Sequence, residues 1–548
     1  MSKIVKGTML LTGATFLSKF LGMIYLIPFE AMVGDTGGTL YGFAYIPYTI
    51  FISISTLGVP LAVSKFVSKY NSLGDYETSR KILKSGMQLM AFSGLVAFLI
   101  MFFGAELLAK SFMNEESSTI ALTDATRVIQ MVSFALLIIP GMSIVRGFFQ
   151  GHESMAPTAV SQVIEQVARI AFLLIAVFVV REIFNGSIEL AVGFATFAAF
   201  IGAIASVIVL YVYWKKRKPY LDRHLEQQEY SYNIPQKKMF KELLGYAGPF
   251  VLVGIAIPLY QLIDNLTFQD AMFVAGKGEL ADTAYAAIVM YGHKLVIIPM
   301  TLATGLSLSM LPAVTASFTE QKVHLLHKQM NQVFQIVILL IVPAVVGLIV
   351  LSGEAYGALY GVEGVEMKGM WLAWYAPASL LFGLFSVSAA VLQGINQQNF
   401  TVFSLTAGMI IKASLNIPLI LAFGAKGSIF ATLLAVGAAV FLNLWRVRKK
   451  ADFPMQPLFK RALLVIIFTA IMAILLWIIK LLLGMFLNPL ESRLDALVVL
   501  VAGVVIGGGS YLWLAYKSTL LERVLGGKIR ILDRFLNKKN SQEENDAH

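Results

Sequence analysis

Apolar runs long enough to cross a bilayer recur along almost the whole chain, and they decide what it can fold into. A spanning helix needs about 20 mostly apolar residues to cross a hydrocarbon core about 30 Å thick. Runs of this kind, bounded by charge clusters or by Gly, Pro and Asn breaks, occupy residues 7–33, 40–63, 85–110, 124–149, 157–181, 189–214, 245–271, 284–316, 331–352, 371–393, 400–422, 427–448, 461–485 and 493–517. In lipid a helix satisfies its own backbone hydrogen bonds, so the pattern predicts an all-α polytopic membrane protein with 14 transmembrane helices. The 284–316 stretch holds Pro299 and Pro312 without a loop-like break, which predicts one kinked or tilted helix. Lys3 and Lys6 resemble the start of an export signal. Lys19 interrupts the following apolar stretch and no Ala-x-Ala site follows, so the first segment is expected to stay as a helix.

Charge is too scarce for a water-facing surface: 14% of the 548 residues, against about 25% in soluble domains. Cysteine is absent, which excludes disulfides, thiolate metal sites and a Cys nucleophile. The six histidines form no HExxH-like cluster, so no metal site is expected. The net charge of +11 would suggest nucleic acid in a soluble protein. Here the basic residues collect in alternate loops: Lys65, Lys69, Arg80, Lys81 and Lys84; then Lys215 to Lys218 with Arg223, Lys237, Lys238 and Lys241; then Arg446, Arg448, Lys449, Lys450, Lys460 and Arg461. The tail from Lys517 to Lys539 continues the series, while the opposite loops include the acidic patch Asn114-Glu115-Glu116. The positive-inside rule then puts both termini in the cytoplasm, as an even helix count requires, and no nucleic-acid partner is expected.

The polar stretch 215–243 divides the first twelve helices into six and six. Helix four ends Phe148-Phe149-Gln150-Gly151 and helix ten ends Val391-Leu392-Gln393-Gly394, an offset of 243 residues (393 − 150). The same offset carries Arg169 in helix five onto Lys412 in helix eleven. Gly58-Val59-Pro60-Leu61-Ala62 leaves helix two much as Met310-Leu311-Pro312-Ala313 leaves helix eight. The organisation expected is an N-lobe of helices one to six (1–214), a cytoplasmic linker (215–243), a C-lobe of helices seven to twelve (244–450), two extra helices (451–517) and a basic cytoplasmic tail (518–548).

Charges at bilayer depth cost about 2.5–3.5 kcal/mol each on insertion scales and persist where they line a watery cavity, pair, or meet a substrate. The deep charges are Lys19, Glu30, Arg146, Glu165, Arg169, Asp264, Asp270, Lys294 and Lys412. Lys19 and Lys294, the latter beside His293 and before Pro299, are expected to face the interior and meet an anionic headgroup. Arg146 stands near the cytoplasmic end of helix four, as a snorkelling anchor or a gate. Glu165 and Arg169, at i,i+4 in the favoured order, read as an internal ion pair. Lys412 and Asn416 share a face of helix eleven, and Asp264 with Asn265 lies mid-span in helix seven. No Walker loop, GxSxG elbow or metal-binding acidic cluster is present, so a transporter is expected rather than an enzyme.

Leu17-Ser18-Lys19-Phe20-Leu21-Gly22 resembles the helix-one signature of the MurJ-type lipid II flippases, members of the multidrug/oligosaccharidyl-lipid/polysaccharide exporter superfamily. Arg146-Gly147-Phe148-Phe149-Gln150-Gly151-His152, Pro157-Thr158-Ala159-Val160-Ser161-Gln162 and Glu165-Gln166 resemble the Gram-positive polysaccharide-transport branch, which includes SpoVB-like proteins. The resemblance spans essentially the whole chain. It implies a flippase of the bacterial cytoplasmic membrane that moves the undecaprenyl-pyrophosphate-linked peptidoglycan precursor by alternating access. By the same resemblance Lys19 and Lys294 replace two headgroup-binding arginines, with Arg146, His293 and Tyr25 as further headgroup candidates. Tyr25 falls on a second helix-one arginine, and Phe51 stands where helix two would carry another. Lysine acts as a point charge where arginine makes a bidentate phosphate contact.

The last two helices are implied to form a groove for the lipid tail. The positions matching a Na⁺ site in some members are Asp264, Lys412, Asn416 and Thr432, with the Lys412 ammonium standing in place of the ion or serving as a structural cation. No cofactor is expected; a coupling ion, Na⁺ or H⁺, is left open. The expected partners are the lipid-linked substrate, membrane lipids and the cell-wall synthesis machinery, with the chain acting as a monomer. The alternatives are an exporter of another polyprenyl-linked glycopolymer (teichoic acid, capsule or spore cortex) and, from a different class, a membrane glycopolymer polymerase or transferase.

Overall fold

The computed structural model describes residues 10, 13–14, 17–18, 20–22, 24–56, 59–113, 120–226, 228, 254–308 and 311–525, and among these there is no β-strand. The first part comprises α1 (Leu26–Thr56), α2 (Val59–Ser72), α3 (Tyr76–Phe103), α4 (Ala105–Phe112), α5 (Leu122–Ser133), α6 (Ile139–Gly151), α7 (Ala156–Phe178) and α8 (Ile188–Glu226). Then come α9 (Ala256–Val274), α10 (Ala281–Tyr285), α11 (His293–Leu308), α12 (Leu311–Thr319), α13 (Val323–Val350), α14 (Ser352–Tyr360), α15 (Val365–Tyr375) and α16 (Ala378–Gly394). The last are α17 (Gln398–Phe423), α18 (Ala425–Ala451), α19 (Gln456–Gly484), α20 (Arg493–Lys517) and α21 (Leu520–Leu525). Among the described residues, eleven helices, some of them joined from two of these segments, are long and apolar enough to cross a membrane. The expected first, second and seventh spans are not among them, and all three lie partly outside the described residues.

The chain gathers into two compact units, one formed by Met1–Leu295, Leu359–Gly361 and Gln398–Ala439, the other by Val296–Ala358, Val362–Gln397 and Val440–His548. In the first unit α7 packs along α8 and α9 along α17. The α7–α8 approach is close because Gly202 lets the α7 backbone in: a Cβ there would lie 2.7 Å from the Glu165 carbonyl oxygen. Small residues at such contacts are the usual means of close packing between membrane helices. In the second unit α13 packs on α19, α19 on α20, and α13 on α16. Leu520, Leu521 and Val524 of α21 are buried in that unit's apolar cluster, so the start of the tail is docked there. Ile474, Trp477 and Val504 of α19 and α20 stay exposed, as lipid-facing side chains do.

The helix ends singled out in the sequence repeat in detail. After α6, Glu153 takes φ 56°, and after α16 its counterpart Asn396 takes φ 57°. The amides of Glu153 and Ser154 donate to Gln150 O and Phe149 O, and those of Asn396 and Gln397 donate to Gln393 O and Leu392 O. These reversed bonds satisfy the last carbonyls of each helix. An arginine then fastens each turn: Arg217 on the Ser154 hydroxyl, and Arg446 on Gln397 Oε1 at 2.8 and 3.0 Å.

Helix α8 runs through the basic group Lys215–Lys218 to Glu226, into the stretch read from sequence as linker. Its stem is held by an Arg80–Asp222 ion pair and by His224 packed on the rings of Tyr76 and Tyr220. The 284–316 stretch is not α-helical throughout. Ala286–Gly292 is π-helical, and Pro299 lies inside α11.

Candidate functional site

A break within α1 builds the site. Gly34 adopts φ 62° and ψ −162°, a conformation essentially confined to glycine, and lets the chain turn between two helical stretches. Tyr25 just precedes α1 and Phe29 lies before the break, and the stretch after it carries Tyr41, Tyr45 and Tyr48 at i, i+4 and i+7, one helical face. The hydroxyls of Tyr25 and Tyr41 lie 3.1 Å apart. The Tyr41 and Tyr45 rings stack at 5.3 Å between centroids, and Tyr48 lies 5.6 Å from Tyr45.

Two cations point at this aromatic group. Arg169 of α7 donates from Nη2 to the Tyr41 hydroxyl at 3.0 Å, and its guanidinium carbon lies 5.2 Å from the centre of the Tyr45 ring. Lys294 of α11 places Nζ 5.5 Å from the same ring. Cation–π contacts contribute roughly 0.5–2 kcal/mol, too little to offset desolvation of a full charge. Among the described residues no carboxylate lies within ion-pair distance of either cation, and Arg169 Nε is buried with no acceptor. The position of Lys294 follows from the π-helical Ala286–Gly292 just before it. An extra residue in a turn rotates everything after it by about 100° relative to a regular α-helix. Tyr291 fixes that segment to α1 by donating to Gly34 O at 3.0 Å. Thr39 adds a bond to Asp282 O at 2.8 Å.

Glu165 and Arg169 do not form the local pair expected of their spacing. Glu165 accepts from Arg146 Nη2 at 2.6 Å, and Arg146 also donates to the hydroxyls of Ser161 at 2.9 Å and Ser206 at 2.8 Å. The guanidinium of Arg146 is thus occupied, and Arg169 is left to the tyrosines. His293 is 4% exposed and stands in the chain beside Lys294. Lys19 lies outside the described residues.

The second group of deep charges has the opposite character. Lys412 Nζ of α17 donates to Asp264 Oδ1 at 2.7 Å, Thr432 Oγ1 at 2.6 Å and the Ser428 carbonyl at 3.1 Å, using all three of its protons. Asp264 Oδ1 also accepts from Ser428 Oγ at 2.7 Å and Asn416 Nδ2 at 3.1 Å. Lys412 and Asn416 are fully buried. The ammonium takes Asp264 Oδ1, Thr432 Oγ1 and the Ser428 carbonyl, while Asn416 Oδ1 is buried with no partner among the described residues. Asp264, Lys412, Asn416 and Thr432, chosen from the sequence, are brought together here; Ser428 is an addition.

Residues 4–318 match the model of the polysaccharide biosynthesis protein family. The chain is 46% identical over 531 residues to the lipid II flippase MurJ of Bacillus subtilis (strain 168), covering 96% of this chain and 98% of that one. It belongs to the MurJ family. The fold agrees: a lipid II flippase MurJ structure in an inward closed conformation superposes with TM-score 0.64 at 17% identity, over 94% of this chain and 99% of that one. An inward-facing MATE family transporter of the MOP superfamily also gives TM-score 0.64, at 14% identity over 78% of this chain and 94% of that one. As a MurJ-family protein the chain is a multi-pass membrane transporter rather than an enzyme. Sequence reasoning had selected Tyr25 and Lys294 but passed over Tyr41, Tyr45 and Tyr48. Their spacing along one helical face was the available signal, and in an apolar span that spacing reads equally as packing.

Proposed function

We propose that the chain flips lipid II, the undecaprenyl-pyrophosphate-linked peptidoglycan precursor, across the bacterial cytoplasmic membrane by alternating access. The observation that carries this is Lys294, an ammonium held against Tyr45 with no carboxylate partner among the described residues, inside a MurJ-family fold. A diphosphate headgroup supplies the missing counter-charge, while the undecaprenyl tail, at about 0.8 kcal/mol per buried CH₂, stays in lipid throughout. Lys19, Tyr25 and His293 belong to the same headgroup path. Arg146 serves as its cytoplasmic-side anchor, since its ion pair with Glu165 holds α6 to α7.

The proposal includes fourteen spans with both termini cytoplasmic. The lobes 1–214 and 244–450 move about the headgroup, 215–243 connects them, and 451–517 forms the tail groove ahead of the basic tail 518–548. The exposed apolar side chains of α19 and α20 support the groove. No cofactor takes part. The Lys412 ammonium replaces a coupling cation at Asp264, which makes transport independent of Na⁺; a Lys412→Asn variant with no new Na⁺ dependence would refute that replacement. The substrate and membrane lipids are the immediate partners, the chain works as a monomer, and it delivers to the cell-wall synthesis machinery.

The test is depletion in cells lacking any second lipid II flippase, with lipid-linked precursors measured on the cytoplasmic face. Lipid II is expected to accumulate; normal translocation, or accumulation of a different polyprenyl-linked glycan, overturns the assignment. Lys294→Glu is expected to abolish complementation with normal membrane insertion, and Lys294→Arg to retain it.

A further inference from the structure

We propose that Arg169 is a direct ligand of the substrate's diphosphate, acting with Lys294 across the Tyr45 ring. The inference rests on the headgroup reading above and adds a residue, from α7, that the reading does not contain. The contrast with Arg146 carries it. Where this chain uses a deep arginine as a brace it surrounds it: Arg146 has one carboxylate and two hydroxyls. Among the described residues Arg169 has the Tyr41 phenol, the Tyr45 ring and a buried Nε with no acceptor. A buried donor left unmade is costly, and a buried guanidinium without an anion costs more. Such a group is kept where an anion arrives later.

The chemistry of the arriving anion follows from the pair. A diphosphate carries at least two negative charges, and Lys294, like Lys19 of the same path, offers only a point charge. The planar guanidinium adds parallel N–H donors that match two phosphate oxygens at once. Neither Arg169 nor Lys294 is fully buried. The Tyr41 hydroxyl fixes the fork of Arg169 and is itself 3.1 Å from the Tyr25 hydroxyl. Tyr25 and Tyr41 are therefore positioning residues for the guanidinium.

The full-length protein in nanodiscs is titrated with farnesyl diphosphate and farnesyl monophosphate, for wild type, Arg169→Gln, Arg169→Lys and Lys294→Gln, with unfolding midpoints recorded for each. Arg169→Gln is expected to weaken diphosphate binding at least tenfold and to abolish most of the preference over monophosphate, without lowering the unfolding midpoint. Arg169→Lys is expected to restore part of the affinity and none of the preference. Arg169→Gln binding the diphosphate like wild type, while Lys294→Gln does not, overturns the role of Arg169 alone. A fall in midpoint that Arg169→Lys corrects together with full binding also overturns it, as that is a structural brace. If Lys294→Gln is also without effect, or wild type shows no preference for diphosphate, the headgroup site falls and Arg169 with it.

Discussion

Arg169 and Lys412 occupy matching positions in the two repeats and are treated in opposite ways. Lys412 is wholly buried and each of its protons has an oxygen. Arg169 meets a phenol and an aromatic face and leaves Nε idle. Lys412 is fully buried and Arg169 only partly so. In the second repeat desolvation is offset inside the protein, by Asp264, Ser428 and Thr432 reaching across from α9 and α18. In the first, Glu165 is taken by Arg146, and among the described residues no carboxylate pairs with Arg169. Two positions related by the 243-residue offset thus carry deep cations, one tied between helices by hydrogen bonds and one held against aromatic rings.

The sharpest way to break this comparison is to remove each cation in turn. Lys412→Met leaves Asp264 charged and buried without its partner, which should lower unfolding stability by about 3–5 kcal/mol in a detergent or nanodisc melt. Lys412→Met combined with Asp264→Asn should recover most of that loss. Arg169→Met should cost less than about 1 kcal/mol, because little is tied to it, yet it should fail to support growth. Equal stability losses at the two positions would end the distinction between tie and open site.

A second, smaller effect concerns the break that sets the tyrosines under Arg169. Gly34→Ala forces a side chain into a backbone region that L-residues rarely adopt, at about 1–3 kcal/mol, although the space beside Gly34 is open. Amide hydrogen exchange should rise over residues 38–48, around Tyr41 and Tyr45, and stay unchanged over 408–420, around Lys412. A uniform rise across both would mean that the two cation sites share one support. Ser161→Ala, which removes one of the three partners of Arg146, should cost about 1 kcal/mol and leave Arg169 where it is.

Much of the fold was legible because a bilayer simplifies the code: apolar length marks a helix. The Lys412 group was legible for a related reason. Asp264, Asn416 and Lys412 are conspicuous in apolar sequence, and buried charges seek each other. The first-repeat site was read less well. The i,i+4 spacing of Glu165 and Arg169 suggested a local pair, but Arg146, 19 residues from Glu165 in sequence, is closer in space and brings Ser161 and Ser206 with it. Such tertiary competition has no local signature. The π-helical Ala286–Gly292 was hidden too, because its residues are as apolar as an ordinary span and only the hydrogen-bond register changes. The basic run Lys215–Lys218 read as linker because charge there signals water, yet a helix leaving the membrane can continue into water, as α8 does to Glu226.

The smallest predicted effect separates the two repeats at their matching helix ends. His152 follows α6 where Ile395 follows α16. Its Nδ1 lies 3.0 Å from the Phe148 carbonyl and its ring packs on Phe148 at 4.3 Å. Burial, and to a lesser extent the nearby His224, Arg217 and Arg80, hold its pKa below the ordinary histidine value of 6.5. A depressed pKa means that protonation is resisted in the folded state. The contribution of this end is therefore complete above the unfolded pKa and is lost as pH falls through the lower folded value. After correction for intrinsic rates, hydrogen exchange over 148–154 should rise between pH 7.5 and pH 5, while 391–397, where Ile395 has no proton to gain, should hold steady. His152→Leu should remove the difference. If it does not, the two ends differ through the arginines that fasten them, Arg217 and Arg446, rather than through the histidine.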